Sequence, residues 1–221
     1  MTQAVTLGEA LIDFVSTETG VQLTEASSFH RRYGGSMANV AMGLARLDVN
    51  VGFAGMVGED AFGDFLEHTM QEEKIDTAGL HHHPRLRTTL AFVSVTDNAI
   101  PDFQFFRHPG ADSAMSFDKI PRPYLEDAQV LHTGSLALSA PKIRQSTYRT
   151  MDRFQEQDRL VSLDPNLRLS LWDSKDAAVE DIMEAVRKAD LVKCSEEEAE
   201  FLTGREDLSS SAEGLRSQGP E

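Results

Sequence analysis

Gly34-Gly35-Ser36-Met37-Ala38-Asn39 opens the segment that decides the fold. Ser36 is placed to cap a helix, and Met37, Val40, Ala41, Leu44 and Leu47 then recur at helical spacing over residues 36–47. Apolar runs flank this helix. Residues 4–12 read as a buried first strand that ends in Asp13, and residues 50–57 read as a second strand. Strand, helix, strand is the repeating unit of a parallel sheet. The rhythm continues with helices over residues 60–74, 141–157, 174–188 and 195–202, the last closed by Gly204. Between them, short strands are expected over residues 128–132, 160–163 and 190–193. The predicted class is α/β, a parallel sheet with helices on both faces, built as one domain over residues 1–221.

Two stretches break the rhythm. Residues 15–33 are polar and mixed, with room for one or two short strands. Residues 88–107 read as a hairpin: a strand over 88–95, a turn at Asp97-Asn98 and a return strand over 103–107. At the other end, residues 209–215 read as the start of a helix, and Gln218-Gly219-Pro220-Glu221 as a loop feeding one more strand.

Composition narrows the function. The chain has 40% hydrophobic and 26% charged residues, which is ordinary for a globular domain of 221 residues. Its net charge is −15, spread along the sequence, so a phosphate backbone would be repelled and nucleic-acid binding is not expected. The single cysteine, Cys194, allows neither an internal disulfide nor a multi-Cys zinc site and is expected to be a buried structural thiol. No apolar run reaches the roughly 20 residues that span a bilayer, and the first residues lack a basic leader, so a cytoplasmic protein with no membrane partner is expected.

In a doubly wound sheet, ligands bind beyond the carboxyl ends of the strands. Polar groups sit at several predicted strand ends: Asp13, Gly134-Ser135, Asp164-Pro165-Asn166-Leu167-Arg168 and Lys193-Cys194-Ser195. Each can also be a turn former or a cap, and it is their accumulation at one edge that points to a site. Gly34 and Gly35 would let a ligand approach the backbone, and the Asn39 amide, one turn into the helix, suits sugar hydroxyls. Neither a Walker loop nor a G-x-G-x-x-G is present. Ser195 and Glu198 have the spacing of a capping box, while Glu198 near a strand end could also help hold a magnesium ion through water. His81-His82-His83 is read as a solvated loop.

Taken together, the motifs resemble the PfkB-type, ribokinase-like carbohydrate kinases, on the fructokinase side of that family. The matching stretches are Gly8-Glu9-Ala10-Leu11-Ile12-Asp13, Tyr33-Gly34-Gly35-Ser36-Met37-Ala38-Asn39-Val40-Ala41 and Gly55-Met56-Val57-Gly58-Glu59-Asp60-Ala61-Phe62-Gly63. Phe105-Phe106-Arg107 with Ala111-Asp112, Asp164-Pro165-Asn166-Leu167-Arg168 with Leu171-Trp172, and Val192-Lys193-Cys194-Ser195-Glu196-Glu197-Glu198 follow in family order. The set covers nearly the whole chain. It is specific for the family and less so for the sugar.

The resemblance implies a ribokinase-like sandwich with a small β lid from residues 15–33 and 88–107, and a homodimer paired through that lid. It implies ATP with Mg2+ as co-substrate and phosphoryl transfer to a sugar hydroxyl. By position, Asp13, Gly34, Gly35 and Asn39 would hold the sugar, with Arg107 and Gly134 bordering the same pocket. Arg168 would stabilise the charge on the transferring phosphoryl group. Asn166, Lys193 and Glu198 would face the nucleotide and its magnesium, with no direct metal ligand assigned. Ser195 stands where many relatives have Asn.

The family's catalytic base is the Asp of a Gly-Ala-Gly-Asp motif, whose amides form an anion hole at a helix N-terminus. Residues 1–221 contain no such motif, so the base and the C-terminal third are expected beyond Glu221. Alternatives are a 2-keto-3-deoxygluconate kinase and a non-catalytic sugar-binding fragment. A nicotinamide oxidoreductase is disfavoured because no G-x-G-x-x-G follows the first strand.

Overall fold

The computed structural model describes residues 2–96 and 101–220. In chain order the elements are β1 (Ala4–Leu7), β2 (Leu11–Gly20), β3 (Phe29–Gly34), α1 (Ser36–Arg46), β4 (Val51–Gly58), α2 (Ala61–Glu72) and β5 (Asp76–His83). Then come β6 (Leu90–Thr96), β7 (Pro101–Phe106), α3 (Arg122–Glu126), β8 (Val130–Gly134), α4 (Pro141–Gln155) and β9 (Leu160–Asp164). The chain finishes with α5 (Lys175–Arg187), β10 (Leu191–Val192), α6 (Glu196–Thr203) and α7 (Leu208–Arg216).

Six strands form one sheet in the order β10-β9-β8-β1-β4-β5, and every pairing in it is parallel. β4 lies inside the sheet with helices on either side, and all eight of its residues are buried. One buried cluster, including Leu7, Leu131, Phe154 and Ile182, packs α4 and α5 onto the sheet. A second, including Met37, Phe53, Leu66 and Met70, packs α1 and α2. Full burial of such a side chain is worth about 1.5–3 kcal/mol.

A four-stranded sheet with the order β3-β2-β6-β7 stands apart from the first. β2 pairs antiparallel with β3 and parallel with β6, and β6 pairs antiparallel with β7. These are the stretches that broke the strand–helix rhythm. The turn expected at Asp97-Asn98 lies outside the described residues.

Three expectations need correction. The apolar run 4–12 is not one strand: β1 ends at Leu7, and β2 starts at Leu11 in the other sheet. Both halves are buried, so hydrophobicity alone does not mark the break. Asp13 therefore lies inside β2, paired with Arg32, and not at the end of the first strand. His81-His82-His83 is the end of β5, a strand along β4. Its rings are engaged: His81 Nε2 lies 2.7 Å from the Lys119 carbonyl, His82 Nε2 lies 2.9 Å from Glu67, and His83 Nδ1 accepts from the amides of Arg85 and Leu86. Ser36 is the first residue of α1 and does not cap it; Gly35 holds the cap position.

Other helix ends follow the sequence. Asp60 caps α2 by accepting from the Phe62 and Gly63 amides, and Ser174 caps α5. α6 carries the complete Ser195–Glu198 capping box and ends at Gly204 with φ 68°. Cys194 is only half-buried, and burial raises its thiol pKa. Among the described residues, no helix is long and apolar enough to cross a membrane.

Candidate active site

A cleft of about 370 Å3 opens where the second sheet overhangs the start of α1. Alternation along the strands aims Leu11 and Asp13 of β2, and Phe103 and Phe105 of β7, into it. Gly35, Ser36 and Asn39 form the opposite wall, and Asn166 and Arg168 close it from beyond β9. Four side chains singled out in the sequence, Asp13, Asn39, Asn166 and Arg168, thus meet in one concavity although 155 positions separate the first from the last.

The cleft's electrostatics come from a half-buried acid and a nearby guanidinium. Burial pushes the Asp13 carboxyl up to about 6, and the positive charge of Arg168 partly offsets that rise. Arg168 is anchored by donating to the carbonyls of Leu167 at 3.0 Å and Asn166 at 3.4 Å, and its guanidinium lies 5.5 Å from the Phe103 ring centre. Asn166 adopts φ 40°, a left-handed conformation that Asn tolerates better than most residues. Ser135 holds this turn by donating its amide to the Pro165 carbonyl.

Two glycines fit by close approach. Gly35 has φ 98°, and a Cβ there would lie 2.6 Å from the Glu9 carbonyl oxygen. Gly34 backs onto the Asp13 carboxylate and leaves space for it. Gly134, expected at the pocket border, is instead packed behind it. A Cβ there would meet the Asp164 carbonyl and Met37, both at 2.8 Å, and the residue that reaches the cleft is Leu136.

Arg107 is not in the cleft. Only 8% exposed, it pairs with the buried Asp112 at 2.6 Å and donates to Ser139 Oγ at 2.8 Å. Thr89 donates to the other Asp112 oxygen. The arginine's donors join the end of β7 to the body of the protein, and the side chain is not among those lining the cleft.

Lys193 and Glu198 also stand outside the cleft lining. Lys193 donates to Asp164 at 3.2 Å and borders a second, more apolar concavity near α6 and α7. Glu198 accepts the Leu167 amide on one oxygen at 2.6 Å and the Ser195 amide on the other at 2.9 Å. Both oxygens are thus engaged with backbone, and among the described residues no three His, Cys, Asp or Glu side chains gather as a metal site. These residues do not by themselves fit a resident magnesium ion.

Glu9 belongs to the site, although within the Gly8–Asp13 stretch only Asp13 carries an expected role. It lines the cleft, is 2% exposed, and accepts the Ser36 amide at 2.6 Å. An acid inside an apolar run is the sequence signal that marks it. Phe103 and Phe105 carried no such signal, because aromatic alternation reads equally as core.

The pfkB family carbohydrate kinase profile matches residues 1–221. Probable fructokinase-7 of Arabidopsis thaliana is 40% identical over 206 residues, covering 93% of this chain and 60% of that protein. The chain therefore spans less than two thirds of that relative's length. Fructokinase with bound ATP from Xylella fastidiosa superposes with a TM-score of 0.87 at 30% identity, covering 100% of this chain and 71% of that one. A fructokinase double mutant from Vibrio cholerae O395, in its fructose, ADP and potassium ion bound form, gives 0.86 at 32% identity, covering 98% and 67%. With the profile matching residues 1–221, the chain belongs to the pfkB family of carbohydrate kinases.

Proposed function

We propose that residues 1–221 form the sugar-acceptor part of a fructokinase-like enzyme that moves the ATP γ-phosphoryl group to a sugar hydroxyl. The observation that carries this reading is the convergence of Asp13, Asn39, Asn166 and Arg168 on one cleft walled in part by Gly35. A carboxylate and two amides offer acceptors and donors for neighbouring hydroxyls, and one guanidinium supplies the positive charge a phosphoryl group needs. Family membership and the fructose and nucleotide bound to the Vibrio cholerae and Xylella fastidiosa relatives support the choice of substrates.

In this mechanism Asp13 accepts charge-assisted hydrogen bonds from sugar hydroxyls, and Asn39 fixes the sugar from the side of α1. Phe103 and Phe105 cover the cleft and exclude water. Arg168 stabilises charge as the phosphoryl group transfers. Magnesium enters with ATP as co-substrate and would screen the phosphate charge. The proton of the attacking hydroxyl is assigned to no side chain of residues 1–221, and the 221-residue chain is expected to bind sugar without phosphorylating it. The aromatic face of the second sheet that bears Phe92 and the 56% exposed Phe106 is proposed as the homodimer contact.

Titration calorimetry tests the reading. D-fructose added to the 221-residue chain should give saturable heat that Asp13→Ala abolishes. Equal weak heats from wild type and Asp13→Ala, in protein that keeps its circular dichroism spectrum, would sink it.

A further inference from the structure

We propose that Glu9 is a positioning residue: from the connection between β1 and β2, its carboxyl group takes over the capping of α1 and thereby holds the Gly35–Asn39 wall of the cleft in place. That the cleft takes a sugar rests on the function proposed above; the capping geometry does not.

Three observations meet at Glu9. First, α1 lacks a side-chain cap of its own. Gly35 has no side chain, and Ser36 sits one position too late. The orphan Ser36 amide is met by Glu9 Oε1 at 2.6 Å, across 27 positions of sequence. Second, Glu9 Oε2 is buried and has no partner within the protein. A buried carboxylate oxygen left unpaired is costly, so stability alone does not favour this acid there. Third, the Glu9 carbonyl oxygen lies against Gly35, where a Cβ would come within 2.6 Å. Backbone and side chain of Glu9 therefore grip the same turn. From that turn, Asn39 is carried into the cleft by the hydrogen bond its backbone N–H donates to the Gly35 carbonyl at 2.9 Å.

The grip depends on charge. A helix N-terminus favours a negative carboxylate over a neutral acid, while burial of Glu9 pushes its pKa up to about 7. The charged groups around it are Asp112, which raises it further, and Arg107, which lowers it. Asp13 and Arg168 line the same cleft. The Ser36 hydrogen bond is therefore strongest above neutrality and relaxes as pH falls through 7.

Amide NMR of the full 221-residue chain, followed against pH, tests the inference without any ligand. The Ser36 amide proton should move downfield with a midpoint near pH 7, and Glu9→Gln should remove that titration. A second arm measures D-fructose binding by calorimetry at pH 8. Glu9→Ala should weaken it about tenfold, the equivalent of about 1.4 kcal/mol, and Glu9→Gln, which keeps an acceptor oxygen but not the charge, should recover only part of the loss. A Ser36 amide that does not titrate in wild type overturns the inference, whether or not the variants fold. A titrating Ser36 amide in a chain that binds no fructose supports the clamp and rejects the sugar reading. Unchanged fructose affinity in Glu9→Ala, with wild type binding normally, rejects the positioning role.

Discussion

The Asp13 carboxylate occupies the space that a side chain at Gly34 would need: a Cβ built on Gly34 would lie 2.5 Å from Asp13 Cγ. The two residues sit on neighbouring strands, since Leu11 pairs with Gly34 and Asp13 with Arg32. Gly34 is thus needed less for its own approach to a ligand than for the rotamer it permits at Asp13. Gly34→Ala should push the carboxylate out of position. The expected result is a loss of fructose affinity of ten-fold or more, about 1.4 kcal/mol per decade, with a smaller loss of stability. Calorimetry beside thermal unfolding of the same sample separates the two. A fall in melting temperature with unchanged affinity would show that the glycine serves only the strand pair.

Asp13 and Glu9 make stability depend on pH in the less usual direction for carboxylates. Their folded values, about 6 and about 7, both stand above the ordinary range near 4. Both acids are protonated in the folded and the unfolded chain at low pH, and their contribution is then fully present. As pH rises, the unfolded chain releases its protons first, so that contribution is lost progressively up to about pH 7. For Glu9, a folded value near 7 against an ordinary 4.5 corresponds to about 3 kcal/mol. Glu9→Gln cannot ionise, so its stability relative to wild type should climb between pH 5 and pH 8. Urea unfolding at both values checks this, and a difference that stays constant with pH would remove the titration from Glu9.

Arg107 is expected to matter for folding and not for the sugar. Arg107 and Asp112 are 8% and 1% exposed and paired at 2.6 Å. Removing one partner of a buried ion pair leaves a charge without compensation, at a cost of about 3–5 kcal/mol. Asp112→Ala should therefore lower stability by that order, and Arg107→Lys, which cannot reproduce the forked geometry, by less. At a temperature where Arg107→Lys remains folded, its fructose affinity should match wild type. A selective loss of affinity would restore Arg107 to the pocket.

The parallel sheet was legible because its helices carry periodic apolar faces and its strands short apolar runs. α1, α2, α4 and α5 fall within a few residues of the spans their periodicity predicts. The break between β1 and β2 was not legible, because Leu7 and Leu11 are equally buried and differ only in which sheet they join. β5 escaped for the opposite reason. Its His81-His82-His83 end is polar, and its place is set by pairing with β4, which no local pattern reveals. In the site, Asn166 and Arg168 could be found as polar residues just beyond a strand end and Asn39 as a polar residue in the first turn of α1, whereas Asp13 was marked by a strand end that the structure moves inside β2. Arg107 could not be told from a ligand contact, since its partner Asp112 is fixed by tertiary packing alone.

Glu198 offers the sharpest test of a residue with two readings. Its oxygens accept the Leu167 amide at 2.6 Å and the Ser195 amide at 2.9 Å, so it ties the first turn of α6 to the loop carrying Asn166 and Arg168. A backbone role predicts that Glu198→Ala orphans two amides and costs about 1–3 kcal/mol. Hydrogen exchange at Leu167 and Ser195 should accelerate in the variant. Glu198→Gln keeps one good acceptor, so one of the two amides should remain protected. A magnesium-facing role predicts a different pattern: exchange at both amides would respond to magnesium chloride in wild type, and Glu198→Gln would abolish that response while preserving stability. With both carboxylate oxygens already held by backbone, the expected result is the first pattern, with magnesium leaving both amides unchanged in the absence of nucleotide.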